Sequence, residues 1–229
     1  MHQILVFGDS LSWGIIPNTR ERLPFHARWP GVMESALTNA GTQVRVIEDC
    51  LNGRRTVWED PFKPGRNGLV GIEQRIEVNS PLSLVIIMLG TNDFQSMHPH
   101  NAWQSAQGLR AILHAIRRAP LEPGMPAPAV LVAAPPPIRE PKGSIAPKFL
   151  GAPAKCAGLA VEYQHVAVEE GATFFDVASV AQSSVVDGVH LDADQHSLLG
   201  HALAGVVRPL LQERVEIPPV PGTSMADAP

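Results

Sequence analysis

Short apolar runs alternate with segments of helical spacing along almost the whole chain. Residues 4–7, Ile-Leu-Val-Phe, run straight into Gly8-Asp9-Ser10. That pattern predicts a buried strand feeding a tight turn. Residues 29–40 have helical spacing, with Pro30 suited to the first turn and Gly41 to the stop. Alternation over 44–48 predicts a second strand, followed by a loop from Asp49 to Thr56 that contains Gly53. Prolines and glycines over 57–68 predict a long loop, and 69–78 a short helix. The apolar run over 82–89 predicts a strand covered on both faces, which means a parallel sheet between helices. Residues 101–119 read as a helix with Trp103, Leu109, Ile112, Leu113 and Ile116 on one broad side. A strand over 129–133 is stopped by Pro135, Pro136 and Pro137. The proline-punctuated stretch 138–153 is long enough for a functional lip. A helix over 154–170, a strand over 173–177 and a helix over 193–212 complete the pattern. From residue 215 both periodicities are lost, which predicts a disordered or loosely packed tail.

Five strands alternating with helices argue for an α/β domain, a three-layer α/β/α sandwich on a five-stranded parallel sheet. The expected domain spans residues 1–214, with a Pro-rich tail over 215–229. The composition, 45% hydrophobic and 17% charged, supplies a sizeable core. A net charge of −4 without a dense Lys/Arg run argues against a nucleic-acid partner. The longest apolar run has strand length, so no membrane span is expected. The amino terminus shows no leader pattern. Two cysteines far apart, Cys50 and Cys156, suit reduced thiols in the cytoplasm better than a disulfide. No metal site is expected, since neither cysteine sits in a Cys-x-x-Cys pair and His196 and His201 do not share a helix face well.

The chemistry-bearing residues sit at loops. Ser10 follows the first strand, Gly53 the second and Asn92 the third, while Asp187 and His190 precede the last helix. Loops after parallel strands open on one sheet edge, so these residues can converge there. Together they form the inventory of a serine hydrolase. Ser10 is the candidate nucleophile, His190 the general base, and Asp187 the group that holds the imidazole tautomer. The N–H groups of Ser10 and Gly53 and the Asn92 amide are candidate oxyanion donors. Taken singly, each residue has a plainer role: Asp187-Gly188 as a turn, Asn92 as a cap, Gly53 as a turn glycine and His190 as a helix-flanking surface residue.

Gly8-Asp9-Ser10-Leu11, Asn52-Gly53, Gly90-Thr91-Asn92-Asp93 and Asp187-Gly188-Val189-His190 resemble the four blocks of the SGNH (GDSL) hydrolases, in that family's order. The resemblance runs from Ile4 to about Leu211. It implies a flavodoxin-like sheet, no cofactor, and the name-giving roles for Ser10, Gly53, Asn92 and His190, with Asp187 completing the triad. The stretches Ser10 to Gly14, Val85 to Asp93, Pro135 to Pro137 and Arg54-Arg55-Thr56 look like the bacterial arylesterase/acyltransferase branch. That finer resemblance implies hydrolysis of short acyl esters, acyl transfer to alcohols in some members, and homo-oligomers that include octamers. The loop after Trp13 looks shorter than in that branch, and Gly53 stands where the branch can carry alanine.

Trp13, Arg54 and Pro136 are candidate substrate contacts, although core packing is the favoured role for Trp13 and a solvated surface suits Arg54 equally well. The expected function is a serine esterase acting on a short-chain, small-molecule ester through an acyl-enzyme on Ser10. Rivals are a thioesterase or lysophospholipase, a carbohydrate acetyl esterase, and a non-catalytic phosphate-binding α/β domain. The last gives no reason for His190 and lacks the further glycines of a phosphate cradle.

Overall fold

A computed structural model describes residues 1–213, so the tail expected over 215–229 lies outside the described residues. Strand β1, His2–Gly8, leads to a one-turn helix α1, Ser10–Trp13. Helix α2, Trp29–Asn39, and strand β2, Val44–Cys50, follow. Helix α3 is Ile72–Asn79, strand β3 Leu84–Met88, and helix α4 Ala102–Arg118. Strand β4 is Ala129–Ala134, and helices α5 and α6 are Ala152–Lys155 and Leu159–Glu169. Strand β5, Thr173–Asp176, precedes the last helix, α7, Ala193–Glu213.

The five strands are all parallel, in the order β2-β1-β3-β4-β5. Chain direction across the sheet therefore reverses between β1 and β3. The carboxyl ends of those two strands border the crevice where open α/β sheets hold ligands.

Alternate strand residues point to opposite faces and fill two cores. Leu5, Phe7, Val85, Ile87 and Val132 pack beneath α3, α4 and α6. Ile4, Val6, Leu84, Ile86 and Leu131 pack beneath α2 and α7. All five residues of β3 are buried, as an apolar run covered on both faces requires. The outer strand β5 is only half-buried along its length.

Two local expectations change. The helix expected over 154–170 is two helices, because Gly158 takes the left-handed conformation at φ 83° between them. Trp103, placed on the apolar side of α4, is 56% exposed. It lies nine residues before Ile112, about two and a half turns, and so on the opposite face. The proline-punctuated stretch 138–153 contains a 3₁₀ segment, Gly143–Phe149. Cys50 and Cys156 are free thiols. Among the described residues no helix is long and apolar enough to cross a membrane.

Candidate active site

The nucleophile turn is set by a close contact just past β1. A Cβ on Gly8 would lie 2.4 Å from Ser12 Oγ, so no larger residue fits where the chain leaves the strand. Asp9 then caps α1, its Oδ1 accepting the Leu11 N–H at 2.9 Å. Ser10 is the first residue of that helix, so its N–H has no acceptor within it. Both its hydroxyl and its N–H stand at the sheet edge.

His190 reaches the hydroxyl from the loop before α7. Its Nε2 lies 3.2 Å from Ser10 Oγ, and its Nδ1 lies 2.7 Å from Asp187 Oδ2. The other carboxylate oxygen accepts the Val189 and His190 N–H groups, each at 2.9 Å. Asn18 donates a further N–H to Oδ2 at 3.2 Å. Burial opposes the charge on Asp187, but the His190 contact and these N–H donors outweigh it and hold the carboxyl down to about 2. An ionised acceptor on Nδ1 keeps that nitrogen protonated and turns the Nε2 lone pair toward Ser10.

Asn92 stands beyond β3 with its amide oriented at both ends. Its Nδ2 donates to Asp9 Oδ2 at 2.9 Å, and its Oδ1 accepts Gln95 Nε2 at 2.7 Å. One amide hydrogen is used on Asp9, which leaves the other for a ligand. Gly53 adopts φ 85°, and among the described residues nothing accepts its N–H.

These donors are tied together from below. Arg55 is fully buried and ion-pairs with Asp60 at 3.1 Å. It also donates to Gln95 Oε1 and, at 3.4 Å, to the Gly53 carbonyl. Asp93 accepts the Thr56 N–H and hydroxyl and the Ser105 hydroxyl, and Ser105 Oγ lies 2.9 Å from the Tyr163 hydroxyl. The loops after β2 and β3 are thus joined by two buried polar networks. Burial pushes both Asp9 and Asp93 up to about 6, although every hydrogen bond they receive favours the charged form.

Ser10, Asn52, Gly53, Asn92 and His190 line one cavity of about 50 Å3, with Ile15, Ile145 and Phe149 as apolar wall. The structure therefore gathers Ser10, Gly53, Asn92, Asp187 and His190 at one place. The arrangement can deprotonate a hydroxyl and hold a developing oxyanion, the requirements of acyl transfer.

The three candidate substrate contacts lie elsewhere. The Trp13 ring does not line the cavity and lies under the Arg22 guanidinium, 4.6 Å from its centroid. Arg54 is neither surface nor substrate-facing. It donates to the Gly8 and Asp49 carbonyls and pairs with the Asp49 carboxylate, its guanidinium 4.0 Å above the Phe7 ring. Pro136 lines a separate, mostly apolar cavity of about 260 Å3 with Phe94, Cys156 and Val161, which includes neither Ser10 nor His190. Sequence reasoning missed the buried ties made by Gln95, Arg55, Thr56 and Ser105. The one signal for Gln95 is its place three residues after Asn92, on the same 3₁₀ turn.

Comparisons with known proteins find esterases and acylhydrolases. An arylesterase of Vibrio mimicus is 34% identical over 91 residues, 40% of this chain and 38% of that protein. The chain thus matches about two fifths of the length of this curated relative. The native aryl esterase of M. smegmatis superposes with a TM-score of 0.86 at 35% identity, covering 92% of this chain and all of the other. A carbohydrate acetylesterase from Sinorhizobium meliloti superposes with a TM-score of 0.85 at 33% identity, again over 92% of this chain and 100% of its own. The family profile that matches spans residues 6–199, from the middle of β1 into α7, and includes every block of the site. The chain belongs to the GDSL-like lipase/acylhydrolase family.

Proposed function

We propose that the protein is a serine esterase that hydrolyses short-chain acyl esters through an acyl-enzyme on Ser10. The observation that carries this reading is the unbroken relay from Asp187 through His190 to the Ser10 hydroxyl, at 2.7 and 3.2 Å. Ser10 Oγ attacks the ester carbonyl while His190 Nε2 takes its proton, and Asp187 stabilises the imidazolium that forms. The tetrahedral oxyanion is held by the N–H groups of Ser10 and Gly53 and by the free Asn92 amide hydrogen. Collapse breaks the bond to the leaving alkoxide, which takes the proton back from His190. Water then repeats the sequence on the acyl-enzyme. An alcohol in place of water would give acyl transfer from the same intermediate, and the two outcomes separate by product analysis in aqueous alcohol.

The cavity of about 50 Å3 beside Ser10 favours an acetyl or similarly short acyl group over a long chain. This separates the reading from a long-chain thioesterase or lysophospholipase. The names of the M. smegmatis and S. meliloti relatives support aryl and sugar acetates as test substrates. A homo-oligomer and a cytoplasmic location belong to the same proposal. Light scattering giving the mass of one chain would refute the oligomer.

A fluorophosphonate probe followed by peptide mass mapping tests the mechanism. Labelling is expected on Ser10, and Ser10→Ala should abolish both labelling and hydrolysis of p-nitrophenyl acetate. Unlabelled Ser10, or a Ser10→Ala variant with full activity, would sink the reading.

A further inference from the structure

Among the described residues the wall of the Ser10 cavity carries three cations and no carboxylate. Arg20 comes from the loop after α1, Lys63 from the loop after β2, and Lys148 from the 3₁₀ segment 143–149. Three separate loops thus bring positive charge to one opening, in a chain whose net charge is −4. Among the described residues none of the three side chains has a hydrogen-bond or ion-pair partner. Other cations around the site are committed: Arg28 pairs with Glu48, Arg54 with Asp49 and Arg55 with Asp60. Asp60, the carboxylate whose charge acts on Lys63 and Lys148, is taken up by Arg55 and by the N–H groups of Phe62 and Lys63.

Like charges on separate loops repel, so gathering them costs stability unless something of opposite charge joins them. Their proximity shows in their titration. Burial, with the Arg55, Lys63 and Arg20 charges, draws Lys148 below its ordinary value, and Asp60 only partly opposes this. Burial and the Arg66 and Arg20 charges do the same to Lys63.

We infer that Arg20, Lys63 and Lys148 form an anion subsite at the mouth of the catalytic cavity, and that the preferred ester carries a carboxylate, phosphate or sulfate on its alcohol side. This rests on the esterase reading and narrows its substrate class. The alcohol side follows from size. The cavity beside Ser10, about 50 Å3, has room for a short acyl group, which leaves the rest of the ester at the opening where the cations stand. Charge at that distance steers the encounter and orients the bound ester without touching the reacting atoms.

The test compares two acetates of the same shape, p-acetoxybenzoate and its neutral methyl ester, on wild type and on the triple variant Arg20→Gln/Lys63→Gln/Lys148→Gln. The readout is the ratio of their kcat/KM values, in which intrinsic reactivity and any general loss of activity cancel between proteins. The triple variant should lower the ratio of anionic to neutral ester about tenfold, and Lys148→Gln alone about threefold. Lys148→Arg should keep most of it. In wild type the ratio should fall as salt rises, because exposed charges are screened; this measurement needs no variant to fold. Monosuccinyl and butyryl esters of one phenol form a third arm. A charge preference seen only in that pair would put the anion on the acyl side and overturn the assignment. An equal response of both acetates to the triple variant would mean that the cations act on the common oxyanion, which also overturns it. A salt-independent wild-type ratio has the same consequence. Hydrolysis of neither acetate would instead sink the esterase reading and the subsite with it.

Discussion

The floor and the mouth of the Ser10 cavity are built on opposite principles. Beneath the cavity the arginines are paired: Arg55 meets Asp60, Gln95 and Gly53, while Arg54 meets Asp49 and the end of β1. At the mouth Arg20, Lys63 and Lys148 meet no side-chain partner among the described residues. A buried cation needs a partner to be tolerated, whereas one at an opening keeps part of its hydration and stays free to engage a ligand. The difference assigns the floor to positioning and the mouth to selection.

The comparison breaks most readily at the floor. Asp187→Asn should lower kcat by about 10⁴-fold with little change in KM, because Nδ1 loses its ionised partner and the imidazole its useful tautomer. Asn92→Ala removes one oxyanion donor and should cost about 10²- to 10³-fold in kcat. Steady-state kinetics on an aryl acetate checks both. A loss confined to KM would move these residues from transition-state stabilisation to simple binding.

A smaller effect should appear in stability. Asp93 titrates near 6 in the folded chain against an ordinary value of 3.8. Between those values the folded state binds more protons than the unfolded one, so Asp93 takes stability away as pH rises through that window. Asp93→Asn lacks this titration. Its stability relative to wild type should therefore improve from pH 4 to pH 7, by about 2 kcal/mol. Denaturant midpoints at the two pH values check this, and a constant difference would mean that Asp93 is already ionised at pH 4.

Gly53→Ala keeps the N–H, and among the described residues the added Cβ meets only Arg66 Cγ, at 4.0 Å. The positive φ should cost about 1 kcal/mol of stability. Activity should stay within about fivefold, which sets a backbone donor apart from the side-chain donor Asn92. The smallest effect is expected at Pro136→Ala. Its cavity excludes Ser10, so kcat/KM on an aryl acetate should be unchanged within error. A large loss would place part of the substrate in that cavity.

Much of this was legible in the residues because the signals are local. Apolar runs ending in Gly8, Cys50-Leu51 and Leu89-Gly90 mark strands and their ends, and parallel strands send those ends to one edge. That logic alone places Ser10, Gly53 and Asn92 together, and Asp187 reaches His190 because they share one turn. The helix over 154–170 was misread because a glycine inside an apolar pattern looks tolerable until its φ is known. Trp103 was misplaced because its hydrophobicity outweighed its phase on the helix.

What the chain determined by itself is therefore the order of elements, the sheet they build and the identity of the reacting groups, since periodicity and turn chemistry act over a few residues. Only the tertiary structure decided which polar side chains are consumed and which stay free. Arg54 and Arg55 look alike in sequence with Arg20 or Lys63. Their opposite fates depend on whether a carboxylate such as Asp49 or Asp60 arrives from another part of the fold, and that is a matter of distance in space rather than of spacing along the chain.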